Sequence, residues 1–215
     1  MPIVVPNMTA FNAKCRACPR LARHLDQVRR CYPAYHARPV APFGDRQARF
    51  LIVGLAPGLH GANATGRPFT GDYAGILLYQ TLHDYGFANQ AVSSARGDGL
   101  ALTNCRITNA VKCLPPENKP TTAEVDTCNS YLQAELAGLA RGSVILALGA
   151  VAHRAVLRAL ALRLADYPFG HGRHHRLPNE RHLLDSYHCS RYNTQTGRLS
   201  KQMFRRVFDK ATRLL

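Results

Sequence analysis

Phe50-Leu51-Ile52-Val53-Gly54-Leu55-Ala56, running into Pro57-Gly58-Leu59-His60-Gly61-Ala62-Asn63-Ala64-Thr65-Gly66-Arg67-Pro68-Phe69-Thr70-Gly71-Asp72, is the stretch on which the fold turns. Its first half is a continuous apolar run with a β-branched centre, the pattern of a strand buried on both faces of a parallel sheet. Its second half is a long glycine-rich loop. Beyond it, Ile76, Leu77, Leu82 and Tyr85 recur at helical spacing, which predicts a helix over about 75–85 with Asp72 just before the first turn. In an α/β protein the carboxyl end of such a strand is where ligands bind.

The same alternation continues toward the C-terminus. Leu102 to Lys112 reads as a second strand that delivers Asn109 near its carboxyl end, and Cys113-Leu114-Pro115-Pro116 breaks it. Thr121 with Glu124 three positions on is a capping box, so a helix is expected from about 122 to 140, with Cys128 in its second turn. Ser143 to Gly149 is a third strand, followed by a helix through Val151, Ala155, Val156 and Leu160; His182 to His188 is a fourth strand ending on His188. A loop, Cys189 to Gly197, precedes a last amphipathic helix carrying Met203, Phe204, Val207, Phe208 and Ala211. The expectation is an α/β single domain over 1–215, with a central four-stranded parallel sheet flanked by helices. His171, His174 and His175 have ligand-like spacing, but Gly170 and Gly172 argue against the helix that spacing needs, so they are assigned to an exposed hairpin or a phosphate-facing loop.

Working back toward the N-terminus, residues 32–49 mix Pro, Gly, Tyr and Arg and read as a surface loop. Ahead of them a segment at about 11–31 pairs Cys15 and Cys18 before a helix with Leu21, Leu25 and Val28 on one face. A C-x2-C pair alone suits a redox couple, half a zinc site or two of four iron–sulfur ligands.

Lys and Arg number 28 against 13 Asp and Glu, a formal charge of +15 that favours a polyanionic partner, nucleic acid before a membrane surface. No apolar run approaches the ~20 residues of a membrane span. Met1 to Ala10 lacks the charged and apolar regions of a signal peptide, so a cytoplasmic protein is expected. Seven cysteines in a reducing compartment point to metal ligation or buried thiols rather than disulfides.

The strand-end loops would collect a small polar set: Asp72 with Phe69 and His60, then Asn109, then His188 with Asn193. Each has an ordinary explanation, Asp72 as a helix cap, Phe69 as a core aromatic, Asn109 as a turn former and His188 as a satisfied histidine. Their common position at carboxyl ends of strands favours a site.

Gly54-Leu55-Ala56-Pro57-Gly58, His60-Gly61-Ala62-Asn63, Thr65 to Asp72, Thr108-Asn109-Ala110-Val111-Lys112-Cys113 and Tyr187-His188-Cys189-Ser190-Arg191-Tyr192-Asn193-Thr194-Gln195-Thr196-Gly197-Arg198-Leu199 together resemble the type-B (family 5) uracil-DNA glycosylases over roughly 11–215. The resemblance implies base-excision repair: a monofunctional hydrolase that flips uracil, and by extension deaminated bases such as hypoxanthine, out of DNA and cuts the N-glycosidic bond. It implies a 4Fe-4S cluster on Cys15, Cys18, Cys113 and Cys128. It also implies catalytic roles for Asp72, His188 and Asn193, with Gly54, Ala56, Phe69 and Asn109 around the base. Arg67, Arg191, Tyr192 and Arg198 are the expected DNA contacts, Arg191 and Tyr192 as a wedge. The expected protein is a monomer that associates with the nucleoid through DNA.

Two departures from the family pattern stand out. Leu55-Ala56-Pro57 offers no polar side chain where related families hold water, which leaves Asp72 as the nearest carboxylate, and Cys189 replaces a proline that would stiffen the third motif. Gly58 stands where some relatives carry a tyrosine, which suggests tolerance for other bases. Two alternatives follow: a catalytically weak iron–sulfur protein that binds damaged or abasic DNA, and a zinc-stabilised nucleic-acid module.

Overall fold

The computed structural model describes residues 11–215, so the reading of Met1 to Ala10 lies outside the described residues. Four strands form a parallel core: β2 (Phe50–Gly54), β3 (Cys105–Asn109), β4 (Val144–Leu148) and β6 (His182–Ser186). The expected four-stranded sheet is extended at both edges. A two-residue strand, β1 (Phe43–Gly44), pairs antiparallel with β3, and β5 (His174–Arg176) pairs antiparallel with β6. The order is β1-β3-β2-β4-β6-β5. The hairpin expected for the histidine-rich stretch is therefore an edge of the sheet itself. The fourth strand stops at Ser186, two residues short of His188, which belongs to the following loop.

Period-two alternation divides β2 between two cores. Phe50 and Ile52 pack with α3 (Tyr73–Asp84) and α7 (Lys201–Leu214), through Leu78, Leu82, Phe204 and Phe208. Leu51 and Val53 face α4 (Thr122–Ala137) and α5 (Ala150–Ala159), through Val125, Leu132, Ala152 and Val156. All five residues of β2 and of β4 are buried, the result expected of strands covered on both faces. In register, Gly54 lies beside Asn109, so the first motif and the second end at the same level of the sheet.

The capping box forms as expected: Glu124 N donates to Thr121 Oγ1 at 3.3 Å, and Thr121 N donates to Glu124 Oε2 at 2.8 Å. Glu124 does a second task. Arg20 of α1 (Pro19–Cys31) reaches both of its carboxylate oxygens at 2.7 Å, which straps the cysteine segment onto α4.

Candidate active site

The cleft opens where β2, β3 and β6 deliver their loops. It encloses about 500 Å³ and is lined by Leu55, Ala56, Gly58, Phe69, Asp72, Tyr73, Ala74, Asn109, Asn118, His188, Ser190 and Arg191. Among the described residues no lysine lines it.

Asp72 occupies the N-cap position of α3, but its side chain caps nothing there. Its Oδ2 instead accepts from Ala62 N, at the start of α2 (Ala62–Thr65), at 3.2 Å. The ordinary reading as a helix cap is thereby set aside. Burial pushes the Asp72 carboxyl above the usual range, and the Ala62 hydrogen bond only partly opposes this. Two glycines make room for it. A Cβ on Gly58 would lie 2.6 Å from Asp72 Oδ1, and one on Gly61 only 1.8 Å from it.

Phe69 is held in the left-handed region at φ 56°, with its ring 5.9 Å from that of His188 and inclined by 25°. A Cβ on Gly54 would meet Asn109 Oδ1 at 2.4 Å and Phe69 Cζ at 2.7 Å. Glycine at the end of β2 thus lets the aromatic and the amide converge. Asn109 is buried, and its carboxamide has no hydrogen-bond partner among the described residues, so both its NH2 donors and its carbonyl acceptor remain for a ligand. Desolvation pushes the His188 imidazole down to about 4, leaving it neutral at pH 7.

Asn193 stands behind this set and does not line the cleft. Its Nδ2 donates to His188 O at 2.8 Å, and its own carbonyl accepts from Leu199 N at 2.9 Å. Among the described residues its side chain contacts the set through the His188 backbone, not through the cleft expected of a catalytic group. Ser190 Oγ caps α6 (Arg191–Gln195), and Cys189 is fully buried where the motif's proline was expected. His60 turns away from the cleft, with Nδ1 2.9 Å from the Tyr35 hydroxyl.

Of the expected DNA contacts, Arg191 and Tyr192 are exposed beside the cleft, and Arg191 Cζ sits 5.9 Å over the Tyr73 ring. Arg198 is exposed and lies 4.6 Å over Tyr187. Arg67 is a correction. It is 4% exposed and spends its guanidinium on Asp98 Oδ1 and Oδ2 (2.9 and 2.6 Å), Thr70 Oγ1 (2.8 Å) and Ser93 Oγ (2.7 Å). Arg67 holds the Asp98 carboxyl far below the carboxylate range, and the pair ties the glycine-rich loop to residues 93–98. Sequence position gave no sign of a partner 31 residues away.

Cys15, Cys18, Cys113 and Cys128 line one cavity of about 180 Å³ between α1 and α4. Among the described residues, no three of these sulfurs lie within 4.8 Å of one another. Burial first, then the nearness of Cys128, pushes the thiols of Cys18 and Cys113 up. Lys112 N donates to Cys128 Sγ at 3.3 Å, while its ammonium is buried against Glu135 Oε1 at 2.7 Å and the Thr108 hydroxyl. Cys31 is exposed, and Cys105 and Cys189 are buried away from the set.

His153, His175 and Asp185 also converge beneath β6. Asp185 Oδ1 and Tyr167 O occupy the two ring nitrogens of His153 at 2.7 and 2.8 Å, whereas His175 Nε2 is buried without a hydrogen-bond partner, 3.6 Å from Asp185 Oδ2.

Comparison with known proteins agrees with this geometry. The family model of the uracil DNA glycosylase superfamily matches residues 41–212. A type-5 uracil-DNA glycosylase of Thermus thermophilus is 48% identical over 205 residues, covering 93% of both chains. One of Mycobacterium leprae is 42% identical over 98% of this chain and 95% of its own, and one of Pyrobaculum aerophilum is 42% identical over 92% and 87%. With the matched region spanning all the strand-end loops just described, the chain belongs to the type-5 uracil-DNA glycosylases of that superfamily.

Proposed function

We propose that this protein excises uracil from DNA by hydrolysis of its N-glycosidic bond, with hypoxanthine and other deaminated bases as further substrates. The observation that carries the reading is Asp72: a carboxylate released from helix capping, raised by burial, and facing the same cleft as Asn109 and His188. Extrusion of the nucleotide costs on the order of a few kcal/mol of stacking and pairing. The exposed Arg191 and Tyr192, in the loop after β6, fill the vacated space and help to offset that cost.

In the cleft, Phe69 stacks on the base while the free Asn109 amide donates to a carbonyl and accepts from the ring N–H. As the bond breaks, negative charge gathers on the base. The neutral His188 imidazole donates a hydrogen bond to the base O2, help that is worth ~2.7–4 kcal/mol where a donor is preorganised. Asp72 holds the attacking water and offsets the positive charge growing on the sugar, and Asn193 keeps the His188 backbone in place. The missing lysine supports water rather than an amine as nucleophile. Gly58 supports breadth of substrate, since no side chain there closes the cleft against larger bases.

Cys15, Cys18, Cys113 and Cys128 hold a 4Fe-4S cluster in this reading. Four cysteine thiols lining one cavity supply the all-thiolate donor set that such a cluster takes. Its part is structural, tying α1 to α4, and glycosidic hydrolysis asks no electron transfer of it. The enzyme acts as a monomer on DNA of the nucleoid.

The test is alkaline cleavage of end-labelled duplexes bearing one uracil, hypoxanthine or normal base. Strand breakage at uracil and hypoxanthine is expected, falling ~10²–10³-fold in Asp72→Asn. DNA binding without breakage by the iron-replete protein would overturn the reading in favour of a binding protein.

A further inference from the structure

Side chains alternate along a strand, so in β5 His174 and Arg176 point to one side of the sheet and His175 to the other. His175 pairs with Leu183 of β6, and Asp185, two residues on, is its diagonal neighbour on the same face. That face is the one α5 covers, and α5 turns His153 into it beside Ala152 and Val156. Three elements far apart in the chain thus bring two imidazoles and a carboxylate together, with one nitrogen or oxygen of each inside a 4.8 Å span. The helix that ligand spacing within the histidine run would need is not required, since only His175 of that run takes part. His153 and Asp185 are buried, and His175 keeps 10% of its side chain in solvent.

Each of the three is held from behind by backbone. Tyr167 O lies 2.8 Å from His153 Nε2, and a carbonyl only accepts, so that nitrogen carries a hydrogen and Nδ1 is left to face Asp185 Oδ1. Pro168, the next residue, supplies a backbone hydrogen-bond partner to the His175 ring. Gly170 N donates to Asp185 Oδ2 at 3.2 Å. Such outer partners on imidazoles and carboxylates are what orient ligands around a metal ion. The inward side is different, because His175 Nε2 has no hydrogen-bond partner and stands 3.6 Å from Asp185 Oδ2. A buried nitrogen left unpaired beside a buried carboxylate is costly and calls for a water or an ion. The separation is that of two ligands in one shell: donors bonded to tetrahedral zinc at ≈ 2.0–2.2 Å stand roughly 3.3–3.6 Å apart.

We propose that His153 Nδ1, His175 Nε2 and the Asp185 carboxylate bind a divalent transition-metal ion of the zinc class, with water in a fourth position. The ion takes the place of the proton lying between His153 Nδ1 and Asp185 Oδ1, and that proton passes to solvent. It pins α5, β5 and β6 to one another, and with them the strand that leads to His188. The thiol cavity is a separate place, between α1 and α4 and lined by sulfur donors. The inference goes beyond the glycosylase reading and does not depend on it.

The probe is zinc sulfate, added to the iron-replete protein and followed by removal of loose metal. Zinc and iron per chain are then counted by mass spectrometry, and the zinc shell is read by X-ray absorption at the zinc edge. Wild type is expected to retain one zinc per chain with its iron unchanged, in a shell of nitrogen and oxygen at ≈ 2.0–2.2 Å that shows imidazole scattering. His175→Ala removes a nitrogen without a protein partner, on a short edge strand, and is expected to weaken zinc binding at least about 100-fold in competition with a fluorescent chelator. Zinc at about 100 times its dissociation constant should raise the melting temperature of wild type by about 5–10 °C and leave that of His175→Ala unmoved. The control is His174→Ala, because His174 Nε2 lies 3.0 Å from His182 Nδ1 and that outward pair is the competing histidine site. It is expected to match wild type. Wild type that retains no zinc would overturn the proposal, the unpaired nitrogen then belonging to a water. So would a shell with sulfur at ≈ 2.3 Å, which places the zinc among the cysteines, or zinc lost from His174→Ala and kept by His175→Ala. The absorption spectrum of wild type decides the site even if His175→Ala does not fold.

Discussion

The cleft takes its polar groups from loops that leave one end of the sheet, with glycines at 54, 58 and 61 keeping space around them, whereas the thiol cavity gathers cysteines from before α1, after β3 and within α4. In the cleft, donors and acceptors are left without protein partners and titrating groups are shifted by burial. Around the cavity the groups that hold its walls together are paired, Arg20 with Glu124, Lys112 with Glu135 Oε1 and Lys112 N with Cys128 Sγ, and only the thiols themselves stay available. Unpaired groups mark where a ligand is to be bound and released. Satisfied ones mark where the chain is to be held.

That contrast is sharpened or broken by four measurements. The largest effect is expected at the cavity: if it holds the proposed cluster, Cys113→Ala or Cys128→Ala should lose the cluster's visible absorbance and most of the soluble protein, since metal-centre binding free energy is also folding free energy. An undiminished yield with full excision activity would make the cavity dispensable. Next is Arg67→Ala, which strands Asp98 and should cost about 3–5 kcal/mol of stability in denaturant unfolding. It should leave the iron content unchanged, because it loosens only the glycine-rich loop. Then Gly58→Ala, whose new methyl would crowd Asp72 Oδ1, is expected to slow excision ~10–100-fold, about 1.4–2.8 kcal/mol, with little change in melting temperature. An equal loss of stability would mean that the cleft glycines serve packing rather than the carboxylate.

The smallest effect concerns His188. Its folded pKa, about 4, lies below the ordinary ~6.5, so the unfolded chain binds the extra proton between these values and stability falls as pH drops through that window. Comparing wild type with His188→Gln in urea unfolding at pH 7 and pH 5 should show wild type losing on the order of 1–2 kcal/mol more than the variant. Parallel losses in the two proteins would place the histidine in water rather than in a desolvated cleft.

The parts of the molecule that could be read in the sequence are those with a local signal. The continuous apolar runs of β2 and β4 and the Thr121–Glu124 box depend on neighbours within a few residues, and they form where expected. The edge strands could not be read that way. Two residues in β1 carry no period, and the His174-His175-Arg176 run of β5 has no apolar alternation, since its pairing is supplied entirely by β6. At the site, the glycine-rich loop and its Asp72 were visible from spacing, but that Asp72 would turn to Ala62 instead of capping α3 depends on the fold of the loop between them. Arg67 misled for the same reason: an arginine in a basic chain suggests phosphate until Asp98 folds over it. That Asn118 lines the cleft had no signal in the sequence, because other segments complete the wall it joins.

The two short antiparallel strands at the ends of the sheet have a colloidal consequence. A row of free backbone donors and acceptors on a long, flat edge strand invites pairing with the edge of another molecule. Here β1 offers only two residues, and the three of β5 carry histidines and an arginine. Molecules crowded side by side along a polyanion therefore meet at edges too brief and too polar to zip together, and can stay dispersed at the densities their charge brings them to.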